Sequence, residues 1–294
     1  MSFSTPDLQP LERRRLLAAS LSPEGVLTIT GTTGNDVISV SVDRASPTKL
    51  KVSESGVVRR FDLNKVSRVV AKLLKGHDSF ALSDGLSIPA SVTGSGGRDT
   101  IFGGAGNDTL DGGEADDVVS GRAGSDRILG GPGSDELSGG PGRDTLSYEY
   151  VTTTFFFGTT RIGHGVVVSL DGVRNDQEAD AVDLLDSTFE NVTGSSFRDE
   201  IVGNGSANTL LGLGGGDSIV GGAGNDFIDG GRGADTLLGG SGNDTILGGD
   251  SGDTIFGNAG VDRLTGNAGV DTFAANERQA GEVVDFAAGV DNLG

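Results

Sequence analysis

The sequence predicts an all-β fold: a right-handed parallel β-roll, or β-helix solenoid, with two nonapeptides per coil and a strand-rich N-terminal lead-in. Three observations predict it. A nine-residue unit recurs in register six times from Gly94 to Ser147 and nine times from Gly194 to Ala274. All fifteen units open on Gly, and every eighth position is apolar, from Ile101 and Leu110 to Ile255 and Phe273. The 294 residues include 52 glycines but only 5% aromatics, too few large apolar side chains for a conventional core. Disordered Gly-rich chains have no such strict period.

Each unit divides by chemistry. Positions one to six are Gly-rich and end on Asp. Glycine admits positive φ, so the chain turns sharply there and aims several carbonyls to one side. Positions seven to nine, as in Thr236-Leu237-Leu238, suit a short strand whose middle residue points inward. So short a strand cannot bury itself. Two units complete a coil of eighteen residues with two apolar side chains face to face. Coils stacked roughly 4.8 Å apart then share a continuous thin core.

Stacking creates a charge problem. The sixth positions are Asp99, Asp108, Asp117, Asp126, Asp135, Asp144, Asp199, Asp217, Asp226, Asp235, Asp244, Asp253, Asp262 and Asp271, with Asn208 in the remaining unit. Residues eighteen apart fall in columns, Asp217 to Asp271 on one edge of the roll and Asp226 to Asp262 on the other. At about 5 Å each like-charge contact costs roughly 1 kcal/mol in water and about 3.5 kcal/mol at a dielectric of 20. Ten Asp–Asp contacts sum to on the order of 10–35 kcal/mol, as large as or larger than the ~5–15 kcal/mol of a typical domain.

Protonation is one remedy; at neutral pH a divalent cation in each slot is the simpler one. Carboxylate and carbonyl oxygens with no His or Cys nearby select a hard ion. A flexible glycine cage suits Ca2+ better than octahedral Mg2+. Neighbours at i and i+18 give at most eleven slots, of which the one between Asn208 and Asp226 lacks a carboxylate. Filling all eleven moves the formal charge from -20 to about +2. The units opening at 194 and 203 carry Phe197 and Ser206 at position four, so their turns are expected to be imperfect.

Composition narrows the partners. A charge of -20 and a pI of 4.3 exclude nucleic acid and favour cations. Absence of Cys excludes disulfides and thiolate chemistry. No apolar run approaches the roughly 20 residues of a membrane-spanning helix. Along the chain, residues 1–24 read as a leader or disordered N-terminus and 25–93 as a strand-rich cap region. Then come the first array (94–147), an irregular or longer-coil insertion (148–193), the second array (194–274) and a C-terminal capping segment (275–294). VLTITG, VISVSVD, KLKVS and HGVVVSL read as longer strands. GTTGNDVIS (31–39) is an isolated unit and GHDSF (76–80) a remnant of one.

The two arrays resemble the repeats-in-toxin, or haemolysin-type calcium-binding, family, whose consensus is Gly-Gly-x-Gly-x-Asp-x-(apolar)-x. The resemblance implies a parallel β-roll that binds calcium between turns, through the aspartates and backbone carbonyls, and folds after export. Carried over, it makes the fourteen aspartates and Asn208 metal-binding positions. DTF (271–273), VVDF (283–286) and Asp291 resemble the capping segment of that family. Leu11, Glu12, Arg14, Leu16 and Leu17 resemble a Leu-Glu-x-Arg-x-Leu-Leu motif found near the start of exported bacterial proteins. A secreted or cell-surface location follows from both resemblances.

Catalytic signals are absent. His77 and His164 are the only histidines, and neither sits in the His-Glu-x-x-His pattern of a zinc protease. GDSGD (249–253) mimics a serine nucleophile but falls in register as positions two to six of a unit, and a triad is defined by partners and geometry. The acidic stretch 171–180 does not fit a calcium loop of the helix–loop–helix type and reads as a solvated turn. The sequence therefore predicts no enzyme. It predicts a calcium-binding exported module, structural or at the cell surface, with folding coupled to calcium. A repeat domain related to an exported hydrolase or protease, and a cell-surface adhesin, are the alternatives. A row of threonines at position seven raises ice binding, but Glu200 and Arg263 break it. Outward ninth positions Val202, Val220, Leu238, Phe256 and Ala274 form an apolar row, a candidate face for a protein or surface partner. Ordinary strand propensity accounts for that row equally.

Overall fold

The computed structural model describes residues 18–54, 57–149, 166–170, 176–178, 181–185, 187–273, 283–285 and 292–293. Over these residues the chain is all-β, its one helical turn being the 3-10 segment Leu63–Lys65. Successive units alternate between two sheets, one of 13 strands and one of 16. In the second array Ser218–Ala223, Thr236–Ser241 and Thr254–Ala259 stack in one sheet, while Phe227–Arg232, Thr245–Asp250 and Arg263–Ala268 stack in the other. Pairing is parallel with residue i against i+18: Leu237 lies between Ile219 and Ile255, and Ile246 between Ile228 and Leu264. The roll predicted by the period is present.

Most strands of the second array run longer than three residues. Thr236–Ser241 continues through the glycines, with Gly240 paired to Gly222 and Asn258. In those coils the first half of the turn is thus part of the ladder, and this leaves the side of the turn at positions four to six to carry the carboxylates.

The N-terminal strands belong to the same stack. Val26–Thr30 pairs parallel with Arg68–Lys75 at a step of 42 residues, which pairs with Ala90–Gly96 at a step of 21. Ala90–Gly96 then meets Thr109–Glu114 at the regular 18. The long step contains the antiparallel meander Val37–Val42, Lys49–Glu54, Val57–Asp62. The 21-residue step contains an enlarged turn held down by Arg122. Its guanidinium donates to the Leu82 carbonyl at 2.7 Å, pairs with Asp84, and lies 4.8 Å from the Phe102 ring centre. Ala18–Leu21, within the expected leader, pairs antiparallel with Val26–Thr30.

The two arrays join through the intervening segment. Phe189–Thr193 bridges Asp144–Ser147 and Thr209–Leu211 in one sheet. In the other, Val166–Ser169, Asp176–Glu178 and Ala181–Leu185 form an antiparallel meander between Glu136–Ser138 and Glu200–Val202. Asp176–Glu178 is therefore strand where the acidic composition predicts a turn; its pairing on both sides outweighs its low propensity. At the far end Val283–Asp285 and Asn292–Leu293 add parallel rungs.

In the arrays the core is two facing files of one side chain per strand, and the N-terminal strands widen it with a second or third buried residue such as Leu27, Val40, Val69, Leu73 and Leu82. One file runs Ile29, Ala71, Val92, Leu110, Ile128, Leu146, Val192, Leu210, Ile228, Ile246, Leu264, and the other includes Ile38, Phe80, Ile101, Val119, Leu137, Ile201, Ile219, Leu237, Ile255, Phe273; all are buried. Each coil depends on its own pair. Leu237→Ala should cost about 3 kcal/mol, whereas Leu238→Ala, at a half-buried position, should cost less than about 1 kcal/mol. Paired thermal melts in saturating calcium check this difference.

Candidate metal centre

The turns have two backbone requirements. In most turns positions two and four take positive φ, as at Gly240 (110°) and Gly242 (135°). That conformation persists where the residue is not Gly: Arg122 has φ 70°, Leu213 71° and Asn258 67°. The fold keeps the carbonyl direction and accepts a local strain of roughly 1–2 kcal/mol at such residues. Position one has a different need. A Cβ on Gly230 would run into the Asp235 carboxylate oxygen Oδ2 and come 2.7 Å from the Gly248 carbonyl one coil on. Carboxylate and carbonyl oxygens converge there, with no room for a methyl group.

The sixth-position carboxylates form hydrogen-bonded columns. Asp217 donates its backbone N–H to Asp235 Oδ1 at 2.7 Å, Asp235 to Asp253 at 2.9 Å, and Asp253 to Asp271 at 2.9 Å. On the other edge Asp226 donates to Asp244 and Asp244 to Asp262, at 2.8 and 2.9 Å. The first array repeats this from Asp99 to Asp117 to Asp135 and from Asp108 to Asp126 to Asp144. Asn208, the one non-acidic member, donates its N–H to Asp226 Oδ1 at 2.8 Å. All fifteen predicted side chains are buried, none more than 3% exposed.

One N–H satisfies one oxygen and leaves the other. The Oδ2 atoms of Asp99, Asp117, Asp126, Asp217, Asp226, Asp235, Asp244, Asp253 and Asp262 are buried without a hydrogen-bond partner. A buried, half-satisfied carboxylate is costly unless it neutralises. Accordingly burial, with the neighbouring carboxylates adding to it, pushes Asp117, Asp126, Asp217 and Asp253 up to about 7 and Asp244 to about 6. Asp99, Asp108, Asp226 and Asp235 also rise, chiefly through burial.

The donor set fits a hard divalent cation. Among the described residues no three His, Cys, Asp or Glu side chains converge. A cation held between two coils would therefore take two carboxylates and fill its shell with backbone carbonyls, oxygens throughout. Fold and site together define a cation-binding parallel β-roll. The family of the RTX calcium-binding nonapeptide repeat (4 copies) matches residues 28–40, 91–119, 111–146, 187–219, 211–246 and 247–277. The chain belongs to that family, and its roll is a calcium-binding module. No individual curated protein matches it.

Two column members escape the nine-residue count. Asp36 donates its N–H to Asp78 Oδ1 at 2.7 Å, and Asp78 to Asp99 Oδ1 at 2.8 Å. Asp78 is 3% exposed, its Oδ2 has no partner, and it rises to about 6, mainly through burial. The signal was in the isolated GTTGND and GHD, but steps of 42 and 21 residues hide the alignment. A third member, Glu190, accepts the Asp144 N–H on Oε2 at 2.8 Å.

Among the described residues, the turns at Asp36, Asp108, Asp199 and Asn208 are closed on themselves. The position-two N–H of Thr32, Gly104, Ser195 and Asn204 donates to the sixth side chain of its own turn, at Asp36, Asp108, Asp199 and Asn208. None of those four position-two residues has positive φ. The irregular position-four residues Phe197 and Ser206 lie in two of these closed turns. His77 is an exposed turn residue whose Nδ1 accepts the Arg98 N–H; His164 lies outside the described residues. GDSGD is an ordinary turn with Asp253 in its column. Val202, Val220, Leu238 and Phe256 are half-buried in one sheet, and the side chain of Ala274 lies outside the described residues.

Metal-free, the roll should respond to acid in a defined direction. Carboxyls that sit near 7 when folded and near 3.8 when unfolded hold protons better in the fold. Their contribution is full below the unfolded value and is lost as pH rises through about 7. Calcium-free chain should therefore gain strand signal by circular dichroism between about pH 8 and pH 4.5. Calcium should bind more weakly over the same descent, since protons and metal compete. Equal strand content at both pH values without calcium would contradict the protonation scheme. Separately, Gly230→Ala should reduce the number of bound calcium ions, measured by equilibrium dialysis, because its methyl occupies the space between Asp235 and the Gly248 carbonyl.

Proposed function

We propose that this chain is an exported, non-catalytic β-roll whose folding is coupled to calcium, serving as a structural or surface module. The observation that supports it most is the columns of buried aspartates, nine of which, Asp99, Asp117, Asp126, Asp217, Asp226, Asp235, Asp244, Asp253 and Asp262, keep an Oδ2 without a hydrogen-bond partner. Calcium is the ligand those oxygens lack. At most eleven slots lie between array coils, ten of them between two aspartates and one between Asn208 and Asp226 with a single carboxylate, and the Asp36–Asp78 and Asp78–Asp99 steps add two more, though Leu73 replaces the usual first-position glycine there.

Coupling follows from the energetics. Without metal the columns must take protons or repel, and the single-file core has little to set against that cost. Each site occupied at ten times its dissociation constant adds roughly 1.4 kcal/mol by mass action. Several sites acting on one stack suffice to move the chain from unfolded to folded. A low-calcium cytoplasm then favours the unfolded chain and a calcium-rich exterior the roll, which suits export before folding. No helix among the described residues is long and apolar enough to cross a membrane.

Calcium titration followed by far-ultraviolet circular dichroism tests the proposal. At neutral pH strand signal should rise cooperatively with calcium and collapse on adding chelator, while magnesium at equal concentration gives much less. A chain with the same strand content and melting temperature in chelator as in calcium would overturn it.

A further inference from the structure

We propose that Glu190 and Asn208 form a cation-free joint, where an amide N–H replaces the metal bridge and divides this edge of the roll into two separate calcium columns. The inference rests on the calcium reading above.

Glu190 lies eighteen residues before Asn208 and so occupies a sixth position itself. Toward the first array it behaves as a column member, accepting the Asp144 N–H on Oε2 at 2.8 Å. Its extra methylene has a reason. Strand register shifts at this point, Asp144 facing Phe189 while Thr145 faces Asn191, so Glu190 is the unpaired residue of a bulge. A side chain displaced this way needs a longer reach than Asp has.

Toward the second array the polarity reverses. Asn208 Nδ2 donates to the Glu190 carbonyl at 2.8 Å and to Asn204 Oδ1 at 3.2 Å. Its Oδ1 accepts the Asn204 N–H at 2.9 Å. Both ends of the amide are therefore served by protein, in contrast to Asp226, Asp244 and Asp262 further along the same column, each with an unpartnered Oδ2. Aspartate at 208 would set its oxygen against the Glu190 carbonyl and Asn204 Oδ1, three oxygens with no hydrogen between them. Such a cluster needs a cation; asparagine supplies the hydrogens instead.

The opposite edge pauses at the same level. The Ser195 hydroxyl donates to Asp199 Oδ1 at 2.8 Å and its N–H to Oδ2 at 2.7 Å. The antiparallel meander separates that turn from Asp135 in the sheet order.

Calcium bound per full-length chain at saturation, by equilibrium dialysis and metal analysis, tests the joint. Asn208→Asp, which restores the repeat pattern, should bind one ion more than the parent, and Asn208→Ala should bind the same number. An Asn208→Asp count equal to the parent, or an Asn208→Ala count lower by one, would make Asn208 a calcium ligand and overturn the proposal. Should Asn208→Ala not reach parental strand content, the Asn208→Asp count decides alone. A parent that binds no calcium sinks the calcium reading itself, a different result from a loaded parent whose Asp variant gains nothing.

Discussion

A carboxylate buried on top of another carboxylate, coil after coil, is the constraint that the rest of the molecule serves. Burial alone raises these groups toward neutrality, and their stacking raises them further. The single-file core cannot absorb that cost in every coil, so the turn is built around it. Glycine at position one clears the space beside the carboxylate, and positive φ at positions two and four directs carbonyls along the stack. Aspartate is the right length because one of its oxygens reaches the N–H of the preceding coil while the other stays in the cleft. Among the described residues glutamate joins a column at the bulge, where the strand register shifts.

The nine-residue period made most of this visible. With one side of each turn fixed by Asp and one residue of each strand fixed by burial, the i to i+18 register, the two core files and the carboxylate columns follow from counting. Counting fails where the chain inserts. Asp36 and Asp78 sit in the column as firmly as Asp117 does, but a meander and a three-residue longer turn shift them to steps of 42 and 21. Glu190 was reachable by subtracting eighteen from Asn208, yet its segment lacks the glycines that mark a turn, and it is not an aspartate.

What counting could not reach is the distinction between open and closed turns. Both read as near-consensus units: the closed turn at Gly103 is GGAGND, indistinguishable from the open turn at Gly221. Their difference lies in the φ of position two, positive at Gly222 and not at Gly104, whose N–H folds back onto Asp108 instead. Neighbouring coils decide it. The sequence of the turn permits both conformations, and only its place in the stack selects one.

That selection follows from the direction of the columns. Every rung points one way: the N–H of one coil reaches the carboxylate of the next toward the C-terminus. Such a ladder has unlike ends. At its start a carboxylate has no preceding aspartate N–H to receive, and at its finish an N–H has no following carboxylate. The closed turns add donors at the start, from Thr32, Gly104, Ser195 and Asn204, and at Asp108 the Ala90 N–H supplies the rung from the coil before. Glu190 is the answer at a finish, supplying an acceptor to Asp144. The joint is therefore where one ladder's end and the next ladder's beginning meet back to back, with the Asn208 amide standing where a further carboxylate would. An interruption that looks like decay of the repeat is the place where a directional column has to stop and begin again.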